Sequence, residues 1–145
     1  MGGGSSLSAA DGPTTTDATR TIVVLVVDDE PVIRAFVERA LVQAGLKAVA
    51  AADGREALRL VVEDRVRPTV LVTDIEMPEM TGIELAARLL AMRPALRVVM
   101  MTGDPVRAAA ARGHPSIVDA VLMKPMQITE LVEAVWPAPD RSPVA

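Results

Sequence analysis

Ile22-Val23-Val24-Leu25-Val26-Val27-Asp28-Asp29-Glu30-Pro31 sets the reading of the whole chain. Six successive β-branched or leucine residues suit a strand covered on both faces, the habit of parallel sheets. Three acids follow at once, and Pro31 suits the first turn of a helix. The same arrangement, an apolar run closed by a reactive side chain, recurs three times. Residues 70–73 run into Asp74, 98–101 into Thr102 and 121–123 into Lys124. If these runs are neighbouring parallel strands, three carboxylates, a hydroxyl and an ammonium meet at one sheet edge.

The segments between them alternate in period. Ile33, Phe36, Val37, Ala40, Leu41 and Ala44 recur at helical spacing, and Gly45 ends that helix. A short strand is expected over 47–51. Asp53 can cap a second helix with the apolar stripe Ala57, Leu58, Val61 and Val62. Pro68 closes the linker to a third strand over 69–73. The third helix spans 82–92, with Ile83, Ala86, Ala87 and Leu90 facing inward and Pro94 beyond its end. Strand four covers 97–101. Asp104-Pro105 then signals a cap and first turn for an alanine-rich helix through Arg112. Strand five covers 118–123, and Ile128, Leu131, Val132, Val135 and Trp136 stripe the last helix. The sum is an α/β chain, (βα)5, whose right-handed crossovers place helices on both faces of a parallel sheet.

At 145 residues the chain fits one domain with one core. Half its residues are hydrophobic (50%) and 23% are charged, as in a globular protein. Phe36 and Trp136 are its only aromatics, so Val, Leu, Ala, Ile and Met must build the core. A net charge of −4 gives no nucleic-acid footprint. The absence of cysteine removes disulfides and thiolate chemistry. No apolar run approaches a membrane span, and residues 1–10 lack the features of a signal peptide. A cytoplasmic protein with no membrane or nucleic-acid partner is expected. Residues 1–20 and 138–145 read as flexible tails around a folded domain at 21–137.

In open α/β sheets the site lies beyond the carboxyl ends of the strands, where strand order reverses. Order 2-1-3-4-5 sets strands 1 and 3 side by side, bringing Asp28 and Asp29 near Asp74. Three close carboxylates repel one another, and a hard divalent cation relieves that repulsion. Few protein oxygens with several waters suits Mg²⁺. Asp28-Asp29-Glu30 could instead only favour a helix N-terminus, and Asp74 could be a solvated loop acid. Read as chemistry, Asp74 is a carboxylate nucleophile that forms an acyl phosphate. Lys124 and Thr102 would then meet the phosphoryl oxygens.

Leu25-Val26-Val27-Asp28-Asp29-Glu30, Thr73-Asp74-Ile75-Glu76-Met77-Pro78-Glu79-Met80-Thr81-Gly82, Met101-Thr102-Gly103 and Met123-Lys124-Pro125 follow in order. Together they resemble the CheY-like receiver domain of bacterial two-component response regulators, over about residues 21–137. The resemblance implies a flavodoxin-like three-layer sandwich. It implies a phosphoacceptor at Asp74, phosphorylated by a histidine kinase or a histidine phosphotransfer protein. It implies Mg²⁺ held by Asp29, Asp74 and the Glu76 backbone carbonyl, with Asp28 acting through water. Lys124 and Thr102 would engage the phosphoryl group, and the Lys124–Pro125 bond would be cis. Glu76 and Asp104 occupy positions that in the family tune phosphoryl lifetime. The family usually carries Tyr or Phe where this chain has Val121, so the aromatic half of its switch is missing. Residues 113–115 are less regular than the family pattern, and His114 reads as a loop residue.

The resemblance implies a signalling switch that is not an enzyme in its own right. Its output is expected through a downstream protein target, with a homodimer possible through helix 4, strand 5 and helix 5. The chain ends soon after its last helix, leaving no room for a DNA-binding module. It is read as free-standing or as a receiver excised from a hybrid histidine kinase. Two other readings stand beside it. One is an aspartyl-phosphate hydrolase of the haloacid-dehalogenase type, which needs Asp-x-Asp where this chain has Asp74-Ile75-Glu76. The other is a docking module that is never phosphorylated.

Overall fold

The structure is a computed structural model that describes residues 21–136. The expected tails lie outside those residues. The elements run β1 (Val23–Val27), α1 (Pro31–Gln43), β2 (Lys47–Ala51), α2 (Gly54–Val62), β3 (Val70–Asp74), α3 (Gly82–Met92), β4 (Arg97–Thr102), α4 (Pro105–Arg112), β5 (Ala120–Met123) and α5 (Ile128–Val135). All neighbouring strands are parallel. Their order is β2-β1-β3-β4-β5, the expected 2-1-3-4-5.

The central strands are apolar throughout because both their faces are covered. Leu25, Val27, Leu71, Val98 and Met100 face one side and pack with Ala57, Val61, Leu85, Leu89 and Ala111 of α2, α3 and α4. Val24, Val26, Val70, Val72, Val99 and Met101 face the other, against Val37, Leu41, Leu131 and Val135 of α1 and α5. Leu25, Leu71, Leu85 and Leu131 have no exposed surface. Each such side chain contributes about 2–3 kcal/mol of burial. The methionines expected to pack do so: Met77, Met100, Met101 and Met126 are buried, and Met123 is half-buried.

The helix boundaries follow local chemistry. Pro31 begins α1 without a side-chain cap. At its end Leu46 N–H donates to the Leu41 carbonyl and Gly45 N–H to the Val42 carbonyl, both at 3.0 Å. Gly45 sits at φ 93°, which this closing motif requires and glycine adopts freely. Asp53 caps α2 by accepting from Glu56 N–H at 2.8 Å. Thr81 and Glu84 form a reciprocal capping box on α3.

Several inward residues differ from the sequence pattern. Val62 is 66% exposed and Leu60 packs in its place. On α3, Leu85, Ala86 and Leu89 are buried while Ala87 is exposed. Phe36 is partly exposed and Ala44 exposed, and Trp136 lies past the end of α5. Strand five begins at Ala120, not 118, because the Asp119 carboxylate takes the Val98 N–H at 2.8 Å.

The position of α3 depends on one glycine. Gly82 N–H donates to the Ile75 carbonyl at 2.8 Å. A Cβ at Gly82 would lie 2.3 Å from the Asp74 carbonyl oxygen, whereas at Gly103 its nearest contact would be 3.9 Å. Gly82→Ala is therefore expected to cost about 2 kcal/mol or more through overpacking, and Gly103→Ala about 0.5 kcal/mol or less. Urea denaturation of the two variants checks this; equal stabilities would show that the helix start yields freely.

Candidate functional site

Strand register assembles the site. Val27 pairs with Thr73, Asp74 with Met101 and Thr102 with Met123. The reactive residues therefore fall on adjacent strand ends. Alternation along β1 and β3 carries Asp28 and Asp74 to the same side of the sheet, continuing from Val26 and Val72. Asp28 has no exposed surface and Asp74 is 8% exposed. Lys124 follows β5, anchored by its N–H to the Thr102 carbonyl at 2.8 Å. Its ammonium lies 2.9 Å from Asp28 Oδ2, 3.3 Å from Glu30 Oε1 and 3.6 Å from Asp74 Oδ2. The Lys124–Pro125 bond is cis, as the resemblance implies.

A buried carboxylate needs partners for both oxygens. Asp28 Oδ1 accepts from Glu30 N–H at 2.9 Å, and Oδ2 takes the Lys124 ammonium. Arg34 fixes the same corner, donating to the Asp28 carbonyl at 2.7 Å. Burial pushes the Asp74 carboxyl up to about 6. The Lys124 charge opposes that rise, the Asp28 and Asp29 charges add to it, and the Glu76 N–H bond opposes it. Partial burial alone would lower the Lys124 ammonium, but the Asp28 hydrogen bond and the Asp28 and Asp74 charges raise it overall. One ammonium thus serves three carboxylates. Oxygens of Asp28, Glu30 and Asp74 lie within 4.8 Å of one another. This hard, all-oxygen, over-negative donor set fits a small divalent cation such as Mg²⁺. The cleft above it has a volume of about 420 Å³ and is also lined by Asp29, Glu76, Thr102, Gly103 and Asp104.

The description "Response regulator receiver domain" matches residues 24–136. The chain belongs to that family. The receiver is similar to the "Probable transcriptional regulatory protein TcrX" of Mycobacterium tuberculosis, at 34% identity over 77% of this chain and 47% of that protein. It is 36% identical to the "DNA-binding transcriptional regulator NtrC" of Escherichia coli, over 78% of this chain and 24% of that one. Among solved structures it resembles the chemotaxis protein CheY4 of Vibrio cholerae, with a TM-score of 0.68 and 30% identity. That match covers 78% of this chain and 94% of CheY4. The chain spans half or less of the length of these two curated relatives.

The expected residues Asp28, Asp29, Asp74, Glu76, Thr102 and Lys124 converge on one site. Their placement within it is uneven. Asp28, not Asp29, lies among the three clustered carboxylates, because Asp28 keeps the inward alternation of β1 while Asp29 turns to solvent. Glu30, expected only as part of the helix start, is the third member. Arg34 was not anticipated, although an arginine one turn into a helix that follows a strand end is placed to reach back. Thr102 is 3% exposed and its hydroxyl accepts from Asp104 N–H at 3.1 Å. Val121 is half-buried against the core shared with α2, α3 and α4. His114 is exposed in the turn before β5, where its carbonyl accepts from Ile117 and Val118 N–H.

The Asp74 shift makes a stability prediction. Its folded value of about 6 lies above the ordinary 3.8, so the folded state binds more protons across that window. Stability attached to Asp74 is therefore present at low pH and lost as pH rises through about 6. Asp74→Asn removes the penalty. In EDTA it is expected to stabilise the receiver by about 1–3 kcal/mol at neutral pH, each pKa unit being worth ~1.4 kcal/mol. The gain should vanish near pH 4 (roughly the unshifted carboxyl range) and shrink when Mg²⁺ is added. Thermal melts across pH check it; a pH-independent gain would contradict the cause given.

Proposed function

We propose that this receiver is a phosphoryl-accepting switch of a two-component phosphorelay, with Asp74 as the acceptor. The observation that carries the reading is the convergence of Asp74, Lys124 and the clustered carboxylates at one cleft. The proposed donor is a phosphohistidine on a histidine kinase or a histidine phosphotransfer protein. An Asp74 carboxylate oxygen attacks phosphorus, the bond from phosphorus to imidazole nitrogen breaks, and the imidazole leaves with its electron pair. An acceptor that titrates near 6 is largely ionised, hence nucleophilic, at neutral pH.

Asp28, Asp29, Asp74 and the Glu76 backbone carbonyl are the proposed holders of Mg²⁺, with Glu30 at hand. Bound there, the cation would supply positive charge for the transferring phosphoryl oxygens. Lys124 shifts part of its charge from Asp74 to a phosphoryl oxygen, while Asp28 keeps its ammonium in place. Thr102 turns its hydroxyl from Asp104 N–H toward the phosphoryl group. That exchange draws on the loop that begins α4, so the charge on Asp74 biases the α4–β5–α5 face. Val106 on α4 is 75% exposed and β5 is a half-exposed edge strand, which suits a protein target or a second copy there. No helix among the described residues is long and apolar enough to cross a membrane; a cytoplasmic setting is part of the proposal.

Intact mass spectrometry after incubation with acetyl phosphate or phosphoramidate and Mg²⁺ tests the reading. One added phosphoryl group is expected, absent in Asp74→Asn and in EDTA. Failure with both donors, and with histidine kinases as donors, would overturn it. Sustained turnover of a generic phosphomonoester would instead favour a hydrolase.

A further inference from the structure

Arg107 lies in the first turn of α4. Its Nε pairs with Glu76 Oε2 and lies 3.4 Å from Asp104 Oδ2. Glu76 stands two residues beyond Asp74, and Asp104 two beyond Thr102. The Asp104 carboxylate is divided: Oδ1 caps α4 through Val106 N–H at 2.9 Å, leaving Oδ2 for Arg107. A guanidinium on α4 therefore joins the two loops that carry the proposed acceptor and the hydroxyl.

The charge around the cleft gives this pair a consequence. Asp29, Glu30, Asp74, Glu76 and Asp104 line it, and Asp28 lies beneath. Lys124 is committed to the inner carboxylates. Among the described residues, Glu76 and Asp104 have no other ion-pair partner, so without Arg107 they would present two uncompensated charges at the mouth. A phosphoryl donor is itself an anion and must enter past them. An ion pair whose side chains are about half exposed adds little to fold stability. The potential at a cleft mouth, in contrast, governs the local concentration of a charged reactant.

We propose that Arg107 sets the acceptance of doubly charged phosphoryl donors, by offsetting part of the charge of Glu76 and Asp104 where the donor enters. Resting on the phosphoacceptor reading, the inference assigns this positioning residue a role in donor choice. Two small donors separate charge from shape: acetyl phosphate is a dianion near neutral pH, whereas phosphoramidate carries one net negative charge.

The test is the second-order rate constant of phosphorylation for each donor, at low salt and at about 0.5 M salt, where screening is over a few ångströms. Arg107→Gln should lower the acetyl phosphate rate about 3–10-fold at low salt, at the lower end of electrostatic steering effects. The phosphoramidate rate should fall by clearly less, and the difference should shrink at high salt. Arg107→Lys should keep most of the rate. Adding Asp104→Asn to Arg107→Gln returns the net charge of the trio to its native value and should restore most of the rate, since Asn still caps a helix. Equal slowing of both donors at every salt concentration would mark a merely structural contact and overturn the proposal, as would unchanged rates. If the unsubstituted receiver accepts from neither donor, the phosphoacceptor reading itself has failed, a result distinct from both.

Discussion

Asp28 has no exposed surface, and its charge is tolerable there because Lys124, 96 residues further along, brings an ammonium to 2.9 Å. A buried carboxylate without such a partner would cost several kcal/mol or lose its charge. The pairing requires β1 and β5 to lie in one sheet with their carboxyl ends level, and the register provides that. Arg34 and Glu30 N–H complete the corner. Asp74 sits within reach of the same ammonium but does not own it. Burial pushes Asp74 up toward neutral pH and the shared ammonium offsets only part of that rise, which suits Asp74 to change its bonding partner.

Features governed by residues adjacent in sequence were legible from the start. The apolar runs gave the strands, Asp53, Asp104 and Pro31 gave helix starts, and Gly45 gave a helix end. The site was legible because parallel strands deliver their last residues to one edge. Rotation of the helices was less so. The inward face of α3 is set where Gly82 meets the Asp74 carbonyl, and this turns Leu85 and Leu89 inward and leaves Ala87 out. Alanine-rich stripes do not define a single face, and Val62 shows that a terminal apolar residue can simply face water. Side-chain pairs across segments were not legible. Glu76 and Arg107 are far apart in sequence, and only the packing of α4 beside β4 brings them together.

The family match fixes what kind of domain this is but not how its signal leaves. Transcriptional regulators and a chemotaxis protein are both similar to it, and similar folds carry different outputs. Val121 narrows the physical options. A valine has no long lever to swing between a buried and an exposed state, and this one packs into the core under α4. On the proposed phosphoacceptor reading, movement would pass through the Thr102–Asp104 loop backbone and the helix that Asp104 caps.

The contact between Gly82 and the Asp74 carbonyl also has an entropic side. β4 pairs along one flank of Asp74, and α3 starts so close to the Asp74 carbonyl that no Cβ fits between them, so its backbone is held from two sides. If Asp74 is the nucleophile proposed above, the disorder that a flexible one would surrender at each encounter is removed once, when the chain folds. On the proposed reading, a donor would meet an acceptor whose main chain is already aligned, and preorganisation of this kind can lower a barrier without any added contact to the incoming group.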